Sequence, residues 1–289
     1  YSAIIKIEFE KRVNMENIRE LIPDPEKLRN VREFSLLENP YESNTKTDNL
    51  MGSAFREIID WHVSNNKFYS EFLKLNGFNS TQIKSKEDLS KLPFIHANFF
   101  KMHEIPTIDK KDVFLHLTSS GTTGQKSQMF FDQWSIKSAR KMVDRVFVHH
   151  GFSNPESEVN YLLLAYEPVE NFAVGTTNTN VFLTSYAKPA SITYALRNYG
   201  NGRHEFDYFG SVSALKKYEE EGIPVRIFGF PAFMFFILQK MRELNIKPLK
   251  LHPDSFVSFG GGWKGHTDKE ISRQELYSMI TGMLSVPDE

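Results

Sequence analysis

Between Thr118 and Lys126 the chain reads TSSGTTGQK, seven small or hydroxyl-bearing residues followed two positions later by a lysine. Glycine lets backbone amides adopt unusual angles and come close to a ligand, and serine and threonine hydroxyls add further donors. Successive inward-pointing amides form an anion-binding concavity, and the ammonium of Lys126 supplies charge. That chemistry suits a polyphosphate held by Thr118, Ser119, Ser120, Gly121, Thr122, Thr123, Gly124 and Lys126. The spacing is not that of a Walker A loop, which needs four residues between its first glycine and an adjacent Gly-Lys pair. On composition alone, the competing reading is a surface hairpin loop.

A second glycine-rich turn, FGGGWKGH at 259–266, formally matches G-x-G-x-x-G. Its mechanism would be pyrophosphate docking at a helix N-terminus after a strand. The acidic residue expected about 20 positions further on has no place, because a helical pattern fills most of that interval. Gly260, Gly261, Gly262, Trp263 and Lys264 therefore read as nucleotide-binding candidates, with a tight turn as the alternative.

Phe228, Phe230 and Phe233, with Phe235 and Phe236, crowd one strand–helix junction in a chain that has 25 phenylalanines. They would wall a ligand pocket, since such pockets are mostly apolar, or simply belong to the core. His149 and His150 sit at an expected helix end, where capping or solvent exposure accounts for them. No H-E-x-x-H or G-x-S-x-G occurs, so zinc protease and serine hydrolase chemistry has no local support.

These residues need elements to position them. Residues 1–50 are charged and poorly periodic and read as a loosely structured lead-in; 51–106 read as a helical region; 107–289 read as an α/β domain. Phe55, Ile58, Ile59 and Val63 recur at helical spacing, a second helix spans 67–75 before Gly77, and Ser85 and Asp88 have a helix-start spacing. VFLHL (113–117) and SQMFF (127–131) are predicted strands flanking the first loop, followed by a helix capped by Ser135. Strands are predicted at 161–166 and 180–186, and a helix from Pro189 towards Tyr199. A helix over 212–221, strand VRIFGF, a helix with Pro231 in its first turn, strand SFVSF and a helix capped by Thr267 complete the pattern. Alternating strands and helices predict an α/β fold with a mostly parallel sheet and flanking helices.

Bulk composition narrows the function. Thirty-five basic and 36 acidic residues give a net charge of -1, which provides no overall attraction for nucleic acid or anionic lipid. There is no cysteine, so disulfides, thiolate metal sites and cysteine nucleophiles are excluded within these residues. The longest apolar run, 228–238, is too short to span a membrane, which takes about 20 residues. A cytoplasmic chain is the expected reading. It starts at Tyr1 without methionine and reads as a fragment, Met15 offering a natural start.

LTSSGTTGQKSQ resembles the phosphate-loop signature of the adenylate-forming superfamily, which includes acyl-CoA synthetases and firefly-type luciferases. Its pairing with FGGGWKG is most similar to the acyl-protein synthetases of bacterial bioluminescence, also called long-chain-fatty-acid–luciferin-component ligases. LPFIHANFFK, FGFPAFMFFIL and HPDSFVSFGGGWKG add to the likeness, which runs from about residue 55 to 289. The resemblance implies the large domain of an adenylate-forming enzyme and the cofactors ATP and Mg²⁺. A fatty acid carboxylate would attack the α-phosphate of ATP, and the acyl group would then pass to a protein thiol, with an acyl reductase as a possible partner.

By match, Thr118 to Gly124 and Lys126 would hold the β- and γ-phosphates, with Thr122, Thr123 and Lys126 catalytic. Gly260 to Lys264 would line the adenine side, and Phe228, Phe230 and Phe233 would wall the acyl pocket or belong to the core. The superfamily's Mg²⁺-holding glutamate turn, its C-terminal lid and the family's acyl-accepting cysteine would all follow Glu289, so the sequence reads as lacking the lid, and no residue here is assigned as a metal ligand. The alternatives are a phenylacetate-type acyl-CoA ligase and a nucleotide-binding remnant without catalysis.

Overall fold

A computed structural model describes residues 18–118, 127–168, 182–201, 203–263 and 265–287. The chain divides into two compact units, Tyr1–Ser153 and Asn154–Glu289. The composition changes near residue 106, whereas the packing divides one hairpin and one helix later.

In the first unit, helix α1 (Arg29–Ser35) precedes α2 (Thr45–Asn65), α3 (Lys67–Leu75) and the single turn α4 (Phe99–Met102). Ordered helix therefore begins well inside the segment expected to be a loose lead-in. Asn44 starts α2 with a reciprocal capping box, its side chain accepting from Thr47 N–H while the Thr47 hydroxyl accepts from Asn44 N–H. The apolar stripe of α2 meets α3 in a small core of Ile59, Leu73, Phe78 and Ile83. As expected, Gly77 ends α3: its φ is +62°, and Phe78 N–H reaches back to the Leu73 carbonyl at 3.0 Å. Ser85 and Asp88 initiate only a 3₁₀ turn, Glu87–Lys91, with Pro93 close behind.

Asn66 Nδ2 donates to the Ile105 carbonyl at 3.0 Å, and His62 Nδ1 lies 2.8 Å from the Thr107 hydroxyl, tying the segment before the hairpin to α2. Strands β1 (Leu115–Thr118) and β2 (Gln128–Phe131) then pair antiparallel, as the sequence predicts, and α5 (Gln133–His149) follows. Asp132, not Ser135, caps α5, because its carboxylate accepts from Ser135 N–H at 2.7 Å.

The second unit is a five-stranded sheet in the order β5-β4-β3-β6-β7. Its strands are β3 (Asn154–Tyr166), β4 (Ala187–Asn198), β5 (His204–Phe206), β6 (Val225–Gly229) and β7 (Phe256–Phe259). All neighbours run parallel except the short edge strand β5. Central β3 is buried without interruption from Val159 to Ala165, as a strand covered on both faces requires. Helices α6 (Tyr208–Glu221), α7 (Pro231–Glu243) and α8 (Arg273–Leu284) pack on one face through Leu215, Met234, Ile237, Met241, Ile280 and Leu284. Burial of each such side chain contributes roughly 1.5–3 kcal/mol.

Three local expectations are corrected here. The segment from Pro189 is strand β4, not helix: its Ile192, Thr193 and Tyr194 pair with Tyr161, Leu162 and Leu163 of β3, and Pro189 sits at a register shift where its missing donor is tolerated. The strand expected at 180–186 is, in its described residues, a helical turn ending in the 3₁₀ segment Thr184–Tyr186. Thr267 opens only a 3₁₀ turn, and Ser272 caps α8 by accepting from Glu275 N–H. Both Thr267 and Ser272 have a glutamate three residues on, but only Ser272 precedes the apolar repeat Leu276, Met279, Ile280, Met283.

A polar knot holds α6 to the sheet. The Tyr218 hydroxyl donates to the Tyr161 carbonyl at 3.2 Å and meets the hydroxyls of Ser191 (3.0 Å) and Thr193 (2.8 Å). Asn160 completes the knot, donating to Glu221 at 2.7 Å and accepting from Ser191 at 3.0 Å. Tyr218→Phe leaves three oxygens short of a partner and should cost about 1–3 kcal/mol, read as a lower denaturant midpoint with unchanged slope. In the first unit, burial holds the His62 imidazole below its ordinary pKa of 6.5. The unfolded chain then takes up the proton first, so this contribution is full above that pH and is lost as pH falls below it. Denaturant midpoints at about pH 7.5 and about pH 5 should therefore differ more in the wild type than in His62→Gln.

Candidate functional site

Parallel α/β sheets bind ligands beyond the carboxyl ends of their strands, where the strand order reverses. Here β3 leads to β4 and β5 on one side, and the chain then returns to place β6 and β7 on the other, so the reversal lies between β3 and β6. Tyr166, Asn198, Gly229 and Phe259 end their strands along this edge, and antiparallel β5 brings His204 to it opposite Asn198.

The backbone is tightest at Gly229. Its φ is +135°, and a Cβ there would lie 2.4 Å from the Leu164 carbonyl oxygen. The two strands thus meet with no side chain between them, and Phe230 N–H donates to that same carbonyl at 3.3 Å. Gly260 N–H donates to the Gly229 carbonyl at 3.0 Å and carries the junction on to β7. At Gly261, φ is +81° and a Cβ would meet the Phe230 ring at 2.9 Å. Gly260 and Gly262 have nothing within 4 Å of such a Cβ, so their backbone borders open space. A bare backbone beside the strand reversal is a fitting cradle for a nucleotide.

Trp263 is buried, its ring 5.5 Å from Phe235 in the helix-covered core, where it anchors the turn. Lys264 lies outside the described residues. So do Ser119, Ser120, Gly121, Thr122, Thr123, Gly124 and Lys126 of the first loop. Its stem is described: Thr118 pairs with Gln128, and the His116 ring stacks on Phe130 at 4.6 Å while His116 Nε2 lies 2.5 Å from Gln128 Oε1.

The aromatic trio separates. Phe230 and Phe233 join the core beneath the helices, whereas Phe228 lies on the opposite sheet face near Tyr161 (6.1 Å) and Phe256 (5.5 Å). His149 and His150 close α5 as expected and pack around Tyr41, whose hydroxyl lies 2.9 Å from His150 Nε2.

Sequence reasoning overlooked three features. Gly229 lies in the FGFPAFMFFIL stretch but is given no role there, and only its place at a strand end before Pro231 hinted at one. A polar cluster sits at the ends of β3 and β4: the Glu167 carboxylate accepts from Arg197 Nε at 3.0 Å and Asn198 N–H at 2.9 Å, and His204 Nε2 donates to the Glu167 carbonyl at 2.8 Å. Arg226 is a 5 % exposed guanidinium inside an otherwise apolar strand. It lies 5.3 Å from the Phe256 ring centroid, with Nη1 3.5 Å from the Tyr161 hydroxyl. Burial lowers its pKa and raises that of Tyr161, since desolvation disfavours both charged forms.

A family model described as acyl-protein synthetase, LuxE matches residues 26–289. The chain belongs to this family. Its similarity to the long-chain-fatty-acid–luciferin-component ligase of Vibrio harveyi is 24% identity over 252 residues, covering 86% of this chain and 61% of that protein. The Aliivibrio fischeri protein of the same name is 21% identical over 227 residues, covering 78% and 56%. The chain thus spans about three fifths of the length of the curated relatives it matches.

Among solved structures, it is similar to 2-hydroxyisobutyryl-CoA ligase in the postadenylation state with a bound acyl-AMP. That likeness has a TM-score of 0.53 at 13% identity, covering 78% of this chain and 44% of the other. The same enzyme with acyl-AMP and CoA matches with a TM-score of 0.52 at 14% identity, covering 77% and 45%. At such identity the likeness is one of fold: an α/β, mostly parallel sheet of the kind found in adenylate-forming ligases. No described helix is long and apolar enough to cross a membrane.

The glycines of the second unit should rank by their surroundings. Gly229→Ala should destabilise by more than about 2 kcal/mol, because both its φ and the Leu164 carbonyl oppose a Cβ. Gly261→Ala should cost less, since a ring can shift where a backbone cannot. Gly260→Ala should change stability by no more than about 0.5 kcal/mol. Thermal or denaturant unfolding of the three variants gives the order directly.

Proposed function

We propose that the chain carries the nucleotide- and acyl-binding part of an ATP-dependent ligase that activates a fatty or similar carboxylic acid as its acyl-adenylate. The observation that carries this reading is family membership over residues 26–289, joined to a strand reversal bordered by the bare backbone of Gly229, Gly260 and Gly262. In this reading the amides and hydroxyls of Thr118 to Gly124, with the Lys126 ammonium, offset the triphosphate charge. Thr122, Thr123 and Lys126 act closest to the reaction, and the turn from Gly260 to Lys264 takes the adenosine side. ATP supplies the electrophilic α-phosphorus and pyrophosphate as leaving group, and Mg²⁺ screens the phosphates. The protein's share is positioning and charge neutralisation, which fixed amides and a lysine provide at little reorganisation cost.

The acyl group is then carried to a thiol. The curated relatives are named as ligases of a luciferin component, which favours a protein acceptor such as an acyl reductase over free CoA. Acid-dependent exchange of pyrophosphate into ATP tests the first step, and its absence from the full-length gene product would sink the ligase reading. Transfer to free CoA in place of a protein thiol would assign the second step to a phenylacetate-type ligase. Lys126→Ala should raise the KM for ATP by about tenfold or more, as loss of a phosphate-neutralising charge does, with an unchanged melting temperature. Equal ATP kinetics in variant and wild type would remove Lys126 from the site.

A further inference from the structure

A cleft of about 490 Å³ lies in the first unit, between the loop at 38–40 and the C-terminal half of α5. That volume is in the range of small-molecule sites. Lys141, Arg145 and Val148 line it at helical spacing, each about one turn beyond the last, and Pro40 supplies the opposite wall. Val148, Pro40 and the methylene stems of the two cations give the cleft apolar sides with charge at their ends.

The loop is pinned on both sides of the cleft. Before it, Arg145 Nη2 donates to the Ser35 carbonyl at 2.6 Å. After it, the Tyr41 ring packs on His149 at 4.8 Å, and the Tyr41 hydroxyl lies 2.9 Å from His150 Nε2. The walls cannot close on each other without breaking one of these contacts.

Inside the cleft the cations are poorly matched. The Lys141 side chain is only 14% exposed, yet its partner Glu38 Oε1 stands 3.8 Å away on a side chain that is 87% exposed. At that distance the pair makes no hydrogen bond, and an ion pair so open to solvent is worth little. Arg145 spends Nε and Nη2 on the carbonyls of Lys141 and Ser35, so those bonds do not neutralise its charge. Burial lowers the Arg145 pKa, while the charges of Glu38 and Asp144 act the other way.

We propose that this cleft is an accessory binding site for a monocarboxylate with an apolar body, whose carboxylate takes the place of Glu38 on Lys141 while its chain lies against Pro40 and Val148. A single negative charge suits the site better than a phosphate, because Glu38 and Asp144 also line the cleft and repel a doubly charged group. The binding needs no ATP and does not rest on the ligase reading.

The test titrates decanoate into the full-length protein without ATP and follows the His149 imidazole resonance, assigned with His149→Gln. His149 lines the cleft and so reports on it locally. Decanoate should move the signal saturably. Decanol lacks the charge and acetate lacks the apolar body, so each should bind at least about tenfold more weakly. Lys141→Gln should weaken decanoate binding about tenfold or more, as loss of a charge-assisted contact does. Glu38→Gln should tighten it about two- to fivefold, because a competing carboxylate is removed.

A purely structural ion pair would not give these opposite signs, and decanoate bound elsewhere would respond to neither substitution. An unmoved His149 signal, equal binding of decanol or inorganic phosphate, or affinities unchanged in both variants overturns the proposal. Should Lys141→Gln fail to fold, Glu38→Gln decides: tighter binding supports the site, and unchanged or weaker binding overturns it. Pyrophosphate exchange plays no part in the measurement, so this inference and the ligase reading stand or fall separately.

Discussion

The close approach of β3 and β6 at Gly229 is the constraint on which the second unit depends. Parallel strands need crossover connections, which place α6 and α7 on one face, and α8, after β7, packs beside them. The reversal of strand order then opens beside the junction, where Gly229 meets the Leu164 carbonyl with no room for a Cβ. Gly260 hydrogen-bonds back to Gly229, so the turn after β7 takes its position from the same contact. Core, crossover and cradle are therefore set together.

The two sheet faces divide the labour. Beneath the helices lies a dense apolar core in which Phe230, Phe233, Phe235 and Trp263 act as anchors. The opposite face carries Tyr161, Phe228 and Arg226, all of them buried. A strand's period of two does this, because neighbouring residues of β6 point to opposite faces. Polar groups follow the same economy: the Tyr218–Asn160 knot is satisfied internally, Glu167 is paired with Arg197 and Asn198, and Arg226 is the buried charge left without its counter-ion among the described residues.

Much of the fold was legible in the sequence. The alternation from residue 208 onward, Gly222 and Pro231 at their helix ends, and the strands flanking the first glycine loop all follow from local rules that hold in any context. β4 was not legible, because its alanine, leucine and arginine content suits a helix and only pairing with β3 makes it a strand. The start of α8 was misplaced for a related reason: two similar capping signals compete, and burial of the downstream face chooses between them.

Residue type and spacing by themselves determined the chemistry on offer. A hydroxyl-rich glycine loop with a lysine, a second glycine turn after a strand, and the absence of cysteine are properties of composition and order, and they also carry the family likeness. Only the tertiary structure decided which side chains share a face and which backbone must stay bare. It sent Phe230 and Trp263 to the core, gave Gly229 its role, and left Arg226 buried beside Tyr161 and Phe256. Those outcomes depend on register between strands far apart in sequence, which long-range packing fixes and local sequence does not encode.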